Sequence, residues 1–541
     1  MEIAINLMGG LGMFLYGMNM MGDGLQKSAG TKLKRIIELL TSNVLMGVIV
    51  GALVTAIIQS SSATTVMVVG FVNAGIMTLP QAIGVIMGAN IGTTITAQLV
   101  SLDLVGLAPV ALGIGIVMYL FSSKPKVKTA AEILIGFGIL FTGMDFMKEA
   151  VKPLAEFSGF TNALVTFGKQ PILGVLLGFG ITAIVQSSSA SMGMLLALSS
   201  QGLIPLSAAL PILYGENIGT CVTSLISSIG ASKNARRAAT MHLVFNIIGT
   251  LIFMLVLSKP ITMIVTNLDP TDVSRQIANS HTLFNIINVI VLLPFAKLIV
   301  KLTMKLIPER EDEKEDAKTV KYIDERMMET PAIALSNTFK ETLRMGDKAK
   351  TALSNAMDGF VGKSQEKVNK SLEEEKVINI LQKTILNYLL KLSKTSLNNE
   401  SRETVDELFN TVNDIERVGD HAENIAELAA SAIEKDLKLS KEGTEELIEM
   451  YNKVMEAYSS ALECMKNSDI DLACRVIKME EQVDIMEKRC RKNHMNRLNS
   501  SSCTIDTGVI YLDLISNLER ISDHAVNIAE RVIKGNNKQL A

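Results

Sequence analysis

Residues 47 to 101 and 174 to 228 superimpose without a gap at an offset of 127, with about two identities in five. A repeated unit of this kind has to bury its apolar surface against its own copy, so the register restricts the fold before any element is assigned. Gln59 falls on Gln186, Gly88 on Gly215, Asn90 on Asn217 and Thr93 on Thr220. The sequence "GLGMFLYGM" at 10 to 18 also pairs with "GFGILFTGM" at 136 to 144 after a one-residue shift. Each copy sets a polar QSSS inside an apolar run, "IIQSSSATT" at 57 to 65 and "IVQSSSASM" at 184 to 192.

Apolar length decides what those runs can do. A bilayer crossing needs about 20 apolar residues. Residues 4 to 22, 104 to 121, 131 to 147, 240 to 258 and 281 to 306 read as full spans. Residues 44 to 58 and 63 to 77 are too short, which predicts a re-entrant hairpin with QSSS at its tip. Residues 80 to 101 are long enough to cross, but "GANIGTT" at 88 to 94 predicts a break. Each copy then crosses three times, and an odd count inverts the second copy relative to the first. Loop charge agrees: "KLKR" at 32 to 35, "KPKVK" at 124 to 128, "KNARR" at 233 to 237 and "KLTMK" at 301 to 305 fall on one side. Lys and Arg favour the cytoplasmic face, which places the N-terminus outside and the tail in the cytosol. The opposite side receives Asp103, "KEAVK" and "NLDPTDVSR" at 267 to 275. The links at 23 to 43 and 148 to 170 are equivalent and suit the interface, and the start "MEIAINLMGG" reads as a retained first span.

The expected fold is all-α. A membrane domain covers 1–307, with repeat 1 at about 4–121, repeat 2 at about 131–258 and an extra span at 281–306; a solvated charged linker at 308–329 leads to a soluble helical domain at 330–541. The net charge of −3 averages two unlike halves and carries no basic face for nucleic acid. The five cysteines, Cys221, Cys464, Cys474, Cys490 and Cys503, form no CxxC pair and read as reduced thiols. The methionines read as apolar filling.

Within hydrocarbon, broken helices are tolerated only when buried in protein or lining a cavity. Two inverted hairpins meet that condition if their tips face one another, each second half-helix offering free N–H groups and the positive end of its dipole. Ser and Thr hydroxyls donate and accept, and the Gln carbonyl accepts, so one group of residues can hold an oxyanion and a hard cation. Neither tip contains Lys or Arg, so a multiply charged anion calls for co-bound cations. The bland alternative is close packing of small hydroxylated residues between helices. Glu216 departs from the repeat, its partner being Ala89, and an ionisable residue at membrane depth is a candidate for binding sodium or a proton, or a cap on the break. His242 and His281 lie near the ends of the expected spans and read as interfacial packing or solvent contact.

"QSSSATT" and "QSSSAS", with "GANIGTT" and "GENIGTC", resemble the paired signatures of the type II sodium/phosphate cotransporter family over about residues 1 to 307. The resemblance implies sodium-coupled uptake of inorganic phosphate by alternating access through a bilayer-embedded site. It assigns substrate and sodium contacts to Gln59, Ser60, Ser61, Ser62, Gln186, Ser187, Ser188 and Ser189. Thr64, Thr65 and Ser191 in the same stretches are further candidates, as are Asn90, Thr93, Glu216, Asn217 and Thr220 from the broken spans.

The second half repeats as well. "NDIERVGDHAENIAEL" at 413 to 428 matches "SNLERISDHAVNIAER" at 516 to 531 at an offset of 103. Each unit has room for three helices, roughly 330 to 434 and 441 to 534, as two antiparallel bundles. Glu416 and Asp420, like Glu519 and Asp523, lie four residues apart on one helical face. About residues 320 to 541 resemble PhoU-type domains, which implies a regulatory role, and in some of these such carboxylates hold an iron or zinc cluster. The residues themselves equally suit pairing with Arg417 and Arg520, and Asn424 and Asn527 suit interhelical hydrogen bonds. The expected protein is a symporter of the prokaryotic plasma membrane, with association through the tail as a route to a homo-oligomer. A phosphate sensor derived from a transporter, or a carrier of another oxyanion, are the alternatives. No nucleotide loop, HExxH motif or nucleophile and base pair points to an enzyme.

Overall fold

The computed structural model describes residues 2–38, 43–102, 104–156, 170–308, 320–395, 397–500 and 503–539. Asp103, parts of the two equivalent links and the centre of the charge run after Pro308 therefore lie outside the described residues. Every regular element described is helical. The chain forms two compact units, Met1–Lys314 with Asp324–Ile333, and Glu315–Ile323 with Ala334–Ala541.

In the first unit, α1 (Glu2–Glu38) leads to a hairpin of α2 (Val44–Ile58) and α3 (Ser61–Asn73). The broken pair α4 (Leu79–Gly92) and α5 (Thr94–Ser101) follows, then α6 (Ala108–Phe121). The second copy repeats this order: α7 (Pro125–Val151), a hairpin of α8 (Pro171–Val185) and α9 (Ser188–Ser200), a broken pair α10 (Leu206–Gly219) and α11 (Cys221–Ser227), and α12 (Lys233–Ile252). A π turn at Phe253–Leu257 joins α12 to α13 (Ser258–Leu268), and α14 (Val273–Leu292) and α15 (Ala296–Leu306) complete the unit. Among the described residues, five helical stretches are long and apolar enough to cross a membrane: Glu2–Ala29, Leu79–Ser101, Pro125–Leu154, Lys233–Leu268 and Val273–Leu306. The expected full span at 104 to 121 forms the shorter helix Val105–Phe121. Its apolar side chains, such as Val110, Val117, Leu120 and Phe121, point outward, as suits a lipid-facing element.

The two copies are inverted. Equivalent helices α1 and α7 run antiparallel, with Gly10 against Met147, Gly17 against Leu140 and Gly24 against Ile133. Within each copy, the outer hairpin helix touches the broken helix backbone to backbone. A Cβ at Gly88 would lie 2.0 Å from the Val48 carbonyl oxygen, and one at Gly215 would lie 2.0 Å from that of Val175. Such glycines let membrane helices approach this closely.

The spans near the histidines are longer than their apolar cores. Polar residues at the start of α12 turn inward, where Arg237 is buried and donates to the Ile307 carbonyl from Nε at 3.0 Å. His242 and His281 are accordingly buried in the interior, not at an interface. Residues 324 to 329 also depart from expectation: instead of belonging to a solvated linker, they pack against the first unit. Met327 carries the change, since it is fully buried and lies over Gly70.

Among the described residues, the second unit has six helices, α16 (Pro331–Val361), α17 (Gln365–Leu392), α18 (Asn399–Glu434), α19 (Lys441–Asn467), α20 (Ile470–Asn499) and α21 (Ile505–Gln539). Side-chain caps from Ser364, Asn398, Ser440 and Asp469 start the four helices α17 to α20. The periodic apolar residues form the core, as Ile415, Val418, Ala422 and Ile425 do on α18.

Candidate functional site

Both hairpin tips are built the same way. Gln59 ends α2 in the left-handed region, with φ 60°, and Gln186 ends α8 with φ 56°. Each glutamine N–H closes its helix, onto the Thr55 carbonyl at 2.7 Å and the Thr182 carbonyl at 2.8 Å. The next residue caps the inner helix: Ser60 Oγ accepts from Ala63 N at 3.1 Å, and Ser187 Oγ accepts from Ala190 N at 3.2 Å. A left-handed non-glycine residue is costly, and two equivalent ones at polar tips mark a functional constraint.

The tips share a cavity of about 450 Å³. Gln59, Ser60, Ser61, Ser62, Gln186, Ser187, Ser188 and Ser189 all line it, with α1 completing the wall. The N-termini of α3 and α9 therefore end at one polar space, an arrangement that favours an anion. Among the described residues, the charged ones lining it are Asp23 and Glu329, and none is Lys or Arg.

The other sequence candidates do not line this cavity. Thr64 accepts from Thr55 Oγ1 at 2.9 Å, Thr65 donates to the Ser61 carbonyl at 2.9 Å, and Ser191 donates to the Ser187 carbonyl at 3.2 Å, so all three tie the helix starts together. Thr93 and Thr220 stand at the two breaks, where Thr220 donates to the Glu216 carbonyl at 2.9 Å. Asn217 donates to the Leu213 carbonyl at 2.9 Å, and the buried Glu216 leaves Oε2 without a partner. Asn90 turns to α12 instead: it donates to Asn246 Oδ1 at 2.9 Å, and His242 Nε2 lies 3.2 Å from its Oδ1.

Side-chain order differs between the tips. Gln59 Oε1 accepts from Thr96 Oγ1 at 2.8 Å. The repeat counterpart of Thr96 is Thr223, whose buried hydroxyl has no partner among the described residues, while Gln186 is open to the cavity. Thr182, the counterpart of Thr55, is likewise buried and unpaired.

Comparison with known proteins bears on what this site handles. The profile described as "Na+/Pi-cotransporter" matches residues 13–149 and 147–268, and the PhoU domain profile matches 342–429 and 447–532. The chain belongs to the sodium/phosphate cotransporter family. Within that family, one full-length relative is the "Putative inorganic phosphate export protein YjbB" of Salmonella typhimurium, 24% identical over 533 residues, covering 98% of this chain and 97% of the relative. The "Uncharacterized protein YqeW" of Bacillus subtilis is 31% identical over 236 residues, 44% of this chain and 76% of that one. The human "Sodium-dependent phosphate transport protein 2B" is 32% identical over 187 residues, 33% of this chain and 26% of its own length.

This cotransporter-family chain joins its multi-pass membrane unit to a PhoU domain. In the PhoU domain, the four carboxylates expected to hold iron or zinc do not assemble a donor set. Among the described residues, no group of three or more His, Cys, Asp or Glu side chains is placed to hold a metal. Arg417 lies 3.1 Å from Asp420 and 3.8 Å from Glu416, while Arg520 lies 3.6 Å from Glu519 and 3.8 Å from Asp523. Burial, and then the adjacent Asp420, holds the Glu416 carboxyl above its ordinary range; burial and Asp523 do the same to Glu519.

The DHxxN residues have a different task. His524 Nδ1 lies 2.9 Å from Asp414 Oδ1, Asn527 donates to the same oxygen at 3.0 Å, and Arg531 pairs with the other oxygen. In the mirror position, His421 Nδ1 lies 2.9 Å from Asn517 Oδ1, and Asn424 donates to it at 3.2 Å. The repeats thus clasp each other reciprocally across α18 and α21. Sequence reading missed Asp414 and Asn517, although both stand two residues before the repeated Glu-Arg pair. It also missed Glu329, and it missed that "HLVFNII" at 242 to 248 returns as "HTLFNII" at 281 to 287.

Proposed function

We propose that the cavity between the QSSS tips binds inorganic phosphate together with sodium, and that alternating access at this site makes the protein a sodium-coupled phosphate symporter. The observation that carries the reading is the convergence of two capped helix N-termini and eight QSSS residues on one cavity, with no Lys or Arg among the described residues of its wall. Helix ends and hydroxyls supply donors for the oxyanion, and sodium balances the charge that no basic residue meets. The family description names sodium and phosphate.

The loop charges support a topology in a prokaryotic plasma membrane with the N-terminus outside and the PhoU domain in the cytosol. Asn73 donates to Asp324 and accepts from Ser232 N at one end of the membrane unit, which in this topology is the cytosolic end. Glu329 closes the short turn that Asp324 caps, so in this topology the cavity faces the cytosol. Residues 1–307 are the transport domain and 330–541 the regulatory domain.

Labelled phosphate uptake into liposomes containing the full chain, with an inward sodium gradient and without one, tests the coupling. Uptake that ignores the gradient removes sodium from the mechanism, and uptake that another oxyanion abolishes while phosphate does not compete reassigns the substrate. A second reading, export, is favoured by the name of the full-length Salmonella relative. It predicts phosphate release from loaded vesicles in the cytosol-to-exterior direction against an inward sodium gradient. A chain that binds phosphate yet gives no flux in either direction is a sensor.

A further inference from the structure

The short segment before α16 is built into the transport cavity. Asp324 caps a 3-10 turn, Glu325–Glu329, by accepting from Arg326 N at 3.0 Å. It also accepts from Asn73 at the end of α3, and Asn73 in turn accepts from Ser232 N at 2.9 Å. Arg326 clamps the turn from the other side: Nη1 donates to Asp324 Oδ2 at 2.8 Å, Nε donates to the Ser227 carbonyl, and Nη2 reaches the Ile229 carbonyl at 3.5 Å. Met327 is fully buried over Gly70. From Asn73 at the base of α3 past Gly70, the strap runs along that helix toward its tip, where Glu329 enters the wall of the QSSS cavity.

We propose that this strap is the inner gate of the transport site and that Glu329 is its working group. A carboxylate at the mouth repels a phosphate anion on its way in or out, so the anion passes only after the turn has lifted from α3 or the cavity has taken up cations. The strap is also placed to receive a signal. Residues 320 to 323 before it and residues from Ala334 after it belong to the regulatory unit, and Lys321 N is held by the buried Glu341 carboxylate at 3.1 Å. The strap is thus continuous in the chain with that unit at both of its ends. The proposal rests on the cavity being the phosphate site.

A reversible lock tests it. A Cβ at Gly70 would lie 3.5 Å from Cβ of Arg326, within the span of a disulfide. The full chain carrying Gly70→Cys and Arg326→Cys is assayed for labelled phosphate flux in liposomes, oxidised and then reduced, beside Arg326→Ala, Glu329→Gln and the two single cysteine variants. The expected results are flux that stops on oxidation and returns on reduction, and initial rates in Arg326→Ala and Glu329→Gln raised about fivefold, the low end of ordinary coupling between sites. For Glu329→Gln the gain appears as a lower KM for phosphate from the strap side. Equal flux in the oxidised and reduced double variant, or unchanged rates in both Arg326→Ala and Glu329→Gln, overturns the gate. Absence of phosphate flux in the wild-type chain instead overturns the transport reading itself.

Discussion

Both halves of the chain are duplications, yet they use their symmetry in opposite ways. In the PhoU unit the copies close on each other: each supplies a His and an Asn to the partner's Asp414 or Asn517. In the membrane unit the copies share a backbone design but not a state. Gln59 is held by Thr96, whereas Gln186 is open and Thr223 is left unpaired. A reciprocal clasp fixes one arrangement. An unequal pair of tips suits the proposed alternating access, which calls for a second arrangement with the bonds exchanged between sides.

The largest effect should come from breaking the clasp. Asp414→Ala leaves Arg531 and His524 without their carboxylate and should cost about 3 kcal/mol of stability, as loss of one member of a buried ion pair does. Asn517→Ala, which removes only neutral bonds, should cost about 1 kcal/mol in the same thermal unfolding of the full chain. Equal losses would mean that the two halves of the clasp are energetically alike. At the tips, Gln59→Ala and Gln186→Ala should each lower phosphate flux by about ten- to a hundredfold, the worth of a hydrogen bond to a charged group. Wild-type flux in both would remove these glutamines from the site.

Thr96→Val and Thr223→Val sharpen the contrast. The first strands the buried Gln59 carbonyl oxygen and should destabilise by about 1–3 kcal/mol, while the second deletes an unpaired hydroxyl and should be neutral or slightly stabilising. A loss in Thr223→Val as large as that in Thr96→Val would show that the tips are equally ordered. The smallest effect is acid sensitivity of the clasp. Burial lowers the His421 pKa, and although burial opposes it, His524, Arg531 and Asn527 hold that of Asp414 low. In both cases the unfolded chain takes up the proton first, so stability present at neutral pH is lost on acidification, beginning below 6.5 for His421 and lower still for Asp414. Glu416 and Glu519, whose pKa values are raised, oppose this trend at the acid end. His421→Gln should therefore flatten the stability profile between about pH 7 and pH 5 by under about 1 kcal/mol.

What the sequence made legible followed from periodicity and register. Short apolar runs broken by QSSS could only be hairpins, and a gapless offset located equivalent residues such as Gln59 and Gln186 without any coordinates. The tail repeat likewise indicated three helices in each unit, and three described helices occupy each. Contacts between distant elements were not legible. Asn90 looks like a site residue beside a helix break, but the register of α12 presents His242 and Asn246 to it. Glu329 looks like one more charge after a charge run, and only the anchoring of Asp324, Arg326 and Met327 brings it to the cavity. The apolar pair Met327 and Met328 within "DERMMETP" was the available sign that this stretch is not plain linker.

The glycine contacts at Gly88 and Gly215 have a mechanical meaning. With a carbonyl oxygen where a methyl group would have to sit, the outer hairpin helix and the first half of the broken helix have no slack between them, in either copy. Close-packed interiors transmit strain instead of absorbing it. Each pair therefore behaves as a beam, and any bending that the proposed transport cycle requires falls to the joints at its ends, including the left-handed Gly75 and Gly202 that stand 127 positions apart.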